Sequence, residues 1–313
     1  MRVFVTGASG FIGSAVVREL IQAGHQVTGL ARSESAAAVV AAAGAAVHRG
    51  SMEDLASLRA GAAAADGVIH TAFNNISETT TSIADAIEAN VHAIEALGEA
   101  LAGSGRPLAV TSGTALIAPG RVVTEDDVPD AGSFNALAPA EAAALAPAEA
   151  AALSFAERGV RASVVRFPLT VHGEGDHGFI PAIIAIARDK GVSAYPGDGS
   201  NRWSAVHRLD AARLFRLALE EAPAGTRLHG VADEAVPFRD IAAVIGQHLS
   251  LPLTAIPREE VEGHFTWMAP FALLDSPASS ALTRKLLGWQ PEHPGLIADL
   301  NEGHYFTRQP ESR

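Results

Sequence analysis

Three glycines spaced Gly7-x-x-Gly10-x-x-Gly13 follow the apolar run Val3-Phe4-Val5-Thr6 and lead into a stretch whose apolar face is Val16, Val17, Leu20 and Ile21, closed by Gly24. Strand, glycine-rich turn and helix in that order make a pyrophosphate cradle. Gly7 permits a sharp turn, Gly10 lets backbone N–H groups approach a phosphate with no Cβ between, and Gly13 lets the helix lie close on the strand. The helix N-terminus adds unpaired donors and the positive end of its dipole. Without a ligand, the same residues would read only as a glycine-rich strand-to-helix turn. The next apolar strand ends in Leu30-Ala31-Arg32-Ser33, where an acidic residue would hold the ribose 2′-hydroxyl of NAD. Arg32 instead offers a guanidinium, and Ser33 a hydroxyl, to a 2′-phosphate, so NADP(H) is expected over NAD(H). The alternative for Arg32 is a solvated loop residue.

A cradle of this kind needs strands on either side of it. Gln26–Leu30 reads as a second strand, Ser33 caps an alanine-rich helix ending at Gly44, and Ala45–His48 is a short third strand. A helix from about Met52 to Ala60, the strand Gly67–His70, and a helix carrying Ile83, Ile87, Val91, Ile94 and Leu97 continue the alternation. Pro107–Thr111 and Arg161–Arg166 add two buried strands. Strands alternating with helices imply an α/β fold with a parallel sheet covered on both faces.

Bulk properties narrow the partners. At 313 residues, with 48% hydrophobic and 19% charged residues, the chain can build one large or two modest cores. A net charge of −12 repels nucleic acid and anionic membrane, which favours a small-molecule substrate. There are no cysteines, so disulfides, thiolate metal sites and a cysteine nucleophile are excluded. The run 36–47 is too short for a bilayer span, and the chain enters a strand at its start, so a cytoplasmic protein is expected.

Several stretches, in order, resemble the landmarks of the extended short-chain dehydrogenases/reductases. They are Thr6-Gly-x-x-Gly-x-x-Gly13, Val68-Ile69-His70-Thr71-Ala72, Asn90-Val91, Val110-Thr111-Ser112-Gly113-Thr114, Val165-Arg166-Phe167-Pro168 and Val171-His172-Gly173. Trp203 to Ala212 and Leu287-Gly288-Trp289-Gln290-Pro291 extend the likeness over most of the chain. The resemblance implies a doubly wound Rossmann domain over 1–169, with 203–230 returning to it, and a smaller C-terminal substrate domain from 170–202 and 231–313. It also implies that Ser9, Phe11 and Ile12 join the three glycines at the cofactor. Thr71, Ala72, Phe73, Asn90, Thr111, Phe167, Pro168 and Leu169 would line the cofactor further along.

The family's usual proton chemistry rests on a Tyr with a Lys four residues later. This chain cannot supply that pair. Its tyrosines are Tyr195 and Tyr305, followed four residues on by Gly199 and Gln309, and its lysines are Lys190 and Lys285. Counting back from Gly159 puts Glu141 and Leu145 at the expected places, inside an octapeptide, Ala136 to Ala143, that repeats identically as Ala144 to Ala151. Proline disfavours a helix interior, so the main helix is expected to start at about Pro147, with the first copy a loop or short turn. Glu141 could act as an acid if burial raised its pKa; the alternative is a solvated low-complexity loop.

Other groups remain for catalysis. The family's hydroxyl partner aligns with Gly113, but Ser112 and Thr114 flank it at the sheet's end, to bond a substrate carbonyl or to cap the strand. Asn90 could orient a water or bond nearby backbone. His172 and His70 have a suitable unperturbed pKa for protonating an alkoxide, or are structural histidines. The stretch His172-Gly-Glu174-Gly-Asp176-His177 is one flexible loop without rigid ligand geometry, so no metal is expected. His207 and Asp210 fit a strand-to-helix connection. The apolar groups 181–186 and Phe265, Trp267, Met268, Phe271, Leu273 and Leu274 suit a hydrophobic or aromatic pocket, ordinary core or a homodimer contact. The leading expectation is an NADP(H)-dependent oxidoreductase transferring hydride to a carbonyl, with Ser112, Thr114 and His172 as its catalytic groups. The alternatives are a cofactor-binding sensor without turnover and an epimerase or dehydratase with tightly held NAD.

Overall fold

The computed structural model describes residues 1–72, 83–115, 117–128 and 139–307, with backbone alone at 83–84 and 139–145. The chain opens with β1 (Arg2–Thr6), α1 (Phe11–Gln22), β2 (Gln26–Ala31), α2 (Glu34–Ala42), β3 (Ala46–Arg49), α3 (Leu55–Ala63) and β4 (Gly67–His70). It continues through α4 (Ile83–Leu101), β5 (Pro107–Gly113), α5 (Pro139–Ser154), β6 (Arg161–Phe167), β7 (Thr170–His172), α6 (Phe179–Lys190), β8 (Ser193–Pro196), β9 (Arg202–His207) and α7 (Arg208–Glu221). Then come β10 (Thr226–His229), β11 (Asp233–Pro237), α8 (Phe238–Leu249), β12 (Leu253–Ile256) and five short helices, α9 (Val261–Phe265), α10 (Ala269–Ala272), α11 (Ala281–Leu287), α12 (Leu296–Asn301) and α13 (His304–Thr307).

Seven parallel strands form the central sheet in the order β3-β2-β1-β4-β5-β6-β10. Side chains of successive strand residues point to opposite faces, so each strand feeds two cores. Val3 and Val5 of β1 pack with α1 and α7, whereas Phe4 packs with α3 and α4. The sheet is therefore doubly wound, and strand order reverses between β1 and β4, where a crevice opens beyond the strands' carboxyl ends. Strand β9 pairs in a separate three-stranded sheet, β11-β9-β7, while α7 and β10 after it return to the large one. β8 and β12 form a parallel pair beside a third core that includes Trp203, Phe238 and Phe265.

Two expectations shift in register. The helix expected over 52–60 runs from Leu55 to Ala63, because the Asp54 carboxylate caps it by accepting from the Ser57 N–H at 3.0 Å. The helix expected to begin at Pro147 begins at Pro139 and carries Pro147 in its interior. Pro147 lies on the exposed side, and the alanines around it have the highest helix propensity, while Ala148, Glu149 and Ala152 bury the opposite side. One missing N–H is thus outweighed by the packing of that face. Glu141's side chain lies outside the described residues. Among the described residues, no helix is long and apolar enough to cross a membrane.

Candidate active site

Gly7 has φ 68°, a left-handed turn, and a Cβ there would meet Thr71 and Ala72 at 2.6–2.8 Å. A Cβ on Gly13 would come 2.0 Å from the Gly7 carbonyl oxygen, so only glycine lets α1 close on the turn. Gly10 is different: a Cβ there would meet only the Gly7 oxygen, at 3.2 Å, within 4 Å. Among the described residues the turn is therefore packed tightly from below and open above. Gly10 is the N-cap of α1 without a side-chain cap, and no acid sits in the first turn, so the N–H groups at Phe11, Ile12 and Gly13 have no intrahelical partner. Ser9, Phe11 and Ile12 are partly exposed. These features fit a dinucleotide's pyrophosphate, which the opening donors of α1 would hold.

A cation guards the same turn. The Arg208 guanidinium lies 4.5 Å over the Phe11 ring and donates to Ser14 Oγ at 3.1 Å and to the Glu174 carbonyl at 2.6 Å. At the end of β2, Arg32 is exposed, and Ser33 Oγ accepts from the Ala36 N–H at 3.1 Å as the cap of α2. Arg49, which the sequence reading did not single out, joins them. Its Nη1 donates to the Ser33 carbonyl at 3.0 Å, and its Nη2 bonds Glu34. The signal was the parallel register of β2 and β3, which sets Arg49 beside Ala31.

Beneath the crevice the polar groups are already committed. Thr6 and His70 are buried, and Thr6 Oγ1 lies 2.7 Å from His70 Nδ1, while Asn90 Oδ1 lies 2.9 Å from Nε2. The carboxamide oxygen only accepts, so the imidazole carries a proton on Nε2. Burial pushes its pKa down. Asn90 is thus spent on a side chain from β4. Thr71 Oγ1 donates to the Thr6 carbonyl at 2.8 Å and Thr111 Oγ1 to the His70 carbonyl at 2.9 Å; Thr71 and Ala72 stay partly exposed. Phe73 lies outside the described residues.

Ser112 remains partly exposed at the end of β5 and donates to Glu149 Oε1 at 2.7 Å. Glu149 is itself gripped by the fully buried Arg166 through Nε at 2.7 Å and Nη2 at 2.6 Å, and by Arg227 at 3.3 Å. Sequence reasoning missed this carboxylate, which sits one octapeptide after Glu141. Thr114 is 1% exposed, with its N–H on the Phe167 carbonyl at 2.9 Å. Phe167 and Pro168 are buried, and Leu169 packs toward the third core. His172 is fully buried: Nδ1 pairs with Asp299 Oδ2 at 2.8 Å, and Nε2 has no partner among the described residues. Its ring meets His207, whose pKa falls to about 4 through burial and then the neighbouring His172.

The model of the NAD dependent epimerase/dehydratase family matches residues 3–229. The chain is 47% identical to an uncharacterized protein, C2A9.02, of Schizosaccharomyces pombe over 98% of this chain and 100% of the other. It is 31% identical over 72% of its length to 4-hydroxy-2-methyl-3-oxo-4-farnesyl-3,4-dihydroquinoline-1-oxide ketoreductase of Stigmatella aurantiaca, 66% of which is covered. The fold is shared with the dTDP-glucose 4,6-dehydratase DesIV of Streptomyces venezuelae, solved with NAD and TYD bound, at a TM-score of 0.75 and 20% identity over 98% of this chain and 97% of that one. From the tight Gly7–Gly13 turn at the reversal of a doubly wound sheet to the match over most of the chain, the same conclusion follows: this protein belongs to the NAD dependent epimerase/dehydratase family.

Proposed function

We propose that the chain is an NADP(H)-dependent oxidoreductase that reduces the carbonyl of a small molecule. The observation that carries this reading is the space over Gly10, open among the described residues, with N–H groups lacking an intrahelical partner on one side and Arg32, Ser33 and Arg49 at the neighbouring strand ends. Two guanidiniums suit a 2′-phosphate better than a bare ribose hydroxyl, although Glu34 offsets part of their charge. When bound, the nicotinamide supplies the hydride. The protein's share is to hold, orient and exclude water.

Ser112 is the hydroxyl placed to orient a carbonyl. Its proton rests on Glu149, but Arg166 already satisfies that carboxylate, so the hydroxyl can swing to a substrate oxygen at the cost of one hydrogen bond, about 1 kcal/mol. Thr114 and His172 are buried, which supports positioning roles: Thr114 anchors β5 to Phe167, and His172 ties β7 to α12 through Asp299. The proton that completes reduction then comes from solvent. The stretches 170–202 and 231–307 supply most of the third core and would make up the substrate domain. The name of the ketoreductase relative accords with carbonyl reduction.

The test is NADPH oxidation against a panel of carbonyl compounds, with Gly10→Leu as the cofactor-blocked control. Turnover lost in that variant supports the reading. Micromolar NADPH binding with no turnover on any carbonyl overturns it, and stoichiometric NAD released from the purified protein would favour an epimerase or dehydratase.

A further inference from the structure

Arg208 opens α7 directly after β9, and α7 lies along α1 in the same direction: Arg208 meets Phe11 and Ser14, Arg216 bonds Glu19 at 2.7 Å, and Glu220 reaches His25 at 2.8 Å. The helix pairing therefore brings the guanidinium level with the first turn of α1, 4.5 Å over the ring of Phe11, whose own N–H lacks an intrahelical partner. Its stem is held from the other side. A Cβ on Gly173 would come 3.1 Å from Arg208 Cγ, and one on Gly175 3.4 Å from Nη1, so the loop between β7 and α6 packs directly on the side chain. The Glu174 carbonyl of that loop and Ser14 Oγ accept from Nη1 and Nη2 at 2.6 and 3.1 Å.

Both acceptors are neutral, so the guanidinium is fixed in place with its charge unmatched. A guanidinium carries five N–H donors; two are used, and Nε has no partner among the described residues. The carboxylates whose charge it feels are Glu174 and Asp176, and neither forms an ion pair with it. Glu174 bonds through its carbonyl, and the Asp176 oxygens accept from the Gly178 N–H at 2.7 Å and the Tyr305 hydroxyl at 3.0 Å. Arg18, one turn beyond Ser14, adds a like charge. By contrast Arg202, Arg213 and Arg216, on the same strand and helix, are each paired with a carboxylate. A half-buried cation held by neutral groups, beside helix N–H donors that lack an intrahelical partner, is arranged for an anion. We propose that Arg208 is a binding residue for the cofactor's diphosphate, supplying from α7 the counter-charge that the backbone of the glycine turn does not. The proposal rests on the dinucleotide part of the reading above, not on the 2′-phosphate or the carbonyl.

The test is binding of ADP-ribose, NADH and NADPH to the full chain by calorimetry, with two replacements that divide charge from hydrogen bonding. Arg208→Gln can still donate to a neutral acceptor but carries no charge, whereas Arg208→Lys keeps the charge and loses the planar fork. Arg208→Gln is expected to weaken all three ligands alike, about tenfold, and Arg208→Lys to stay within about threefold of the parent. Raising salt from about 50 to about 500 mM should weaken ADP-ribose in the parent, and less so in Arg208→Gln. Unchanged affinity in Arg208→Gln, an equal loss in Arg208→Lys as a merely structural tie would give, a loss confined to NADPH, or a parent affinity indifferent to salt overturns the assignment. A parent that does not bind ADP-ribose overturns the cradle reading with it. One that binds ADP-ribose but oxidises NADPH with no carbonyl loses only the reduction reading and leaves the role of Arg208 standing.

Discussion

Glu149 is 2% exposed and is met by donors from Ser112, Arg166 and Arg227, an arrangement in which each group depends on the others very unequally. A buried carboxylate survives only if its charge and lone pairs are met, and the two-point grip of Arg166 does most of that. Glu149→Ala leaves a fully buried guanidinium uncompensated, and urea unfolding is expected to show a loss of about 3–5 kcal/mol. Ser112→Ala removes one of several bonds and should cost about 0.5–1.5 kcal/mol. If Ser112 also orients the substrate carbonyl, its kcat/KM falls far more than that stability change explains, by about ten- to a hundredfold. Arg32→Ala and Arg49→Ala should each weaken NADPH about tenfold and leave NADH unchanged, read by fluorescence titration; equal loss for both cofactors would refute a 2′-phosphate role. The glycine turn was legible in the sequence because its geometry follows from local spacing, and Ser112 and Arg32 were found as candidates because they lie where β5 and β2 end. Glu149, Arg166 and Arg49 were not, since their partnerships exist only once a helix lies on the sheet or two strands take register.

The elements of the large sheet follow from apolar periodicity, and six of its strands read directly from the sequence within a residue or two. The short strands β7, β8, β11 and β12 did not, because each has three to five residues and is defined by a distant partner, as when Leu253–Ile256 pairs with Ser193–Pro196. Helix α5 shows the opposite failure: local chemistry argued for a break at Pro147, and tertiary packing of Ala148 and Ala152 overrode it. The proline nonetheless removes a backbone bond and crowds the preceding turn. Pro147→Ala, at an exposed position, is expected to stabilise the protein by about 1–3 kcal/mol, visible as a higher Tm by circular dichroism. No change in Tm would mean that the helix already pays nothing for that residue.

For the whole molecule, three buried histidines set the response to acid. Burial lowers the pKa of His70, His207 and His229, the second to about 4 from 6.5. The unfolded chain therefore takes up protons near pH 6.5 while the folded chain does not, so stability is fully present above that value and falls as pH drops toward 4. Asp176, whose pKa burial raises, acts in the opposite sense, but as one group against four, since burial also lowers the pKa of the half-buried His264. A Tm that is flat from pH 7 to 8 and declines below about 6.5 is expected, with a shallower decline in His207→Asn, which keeps an acceptor at the cap of α7. The order of the central sheet carries a different consequence. Its last strand, β10, pairs with β6 only when Thr226–His229 is available, some sixty residues after β6 itself. While the chain is still leaving the ribosome, the Arg161–Phe167 strand is therefore an open, apolar edge able to join a neighbouring nascent chain, which makes this interval of synthesis the one most in need of a chaperone.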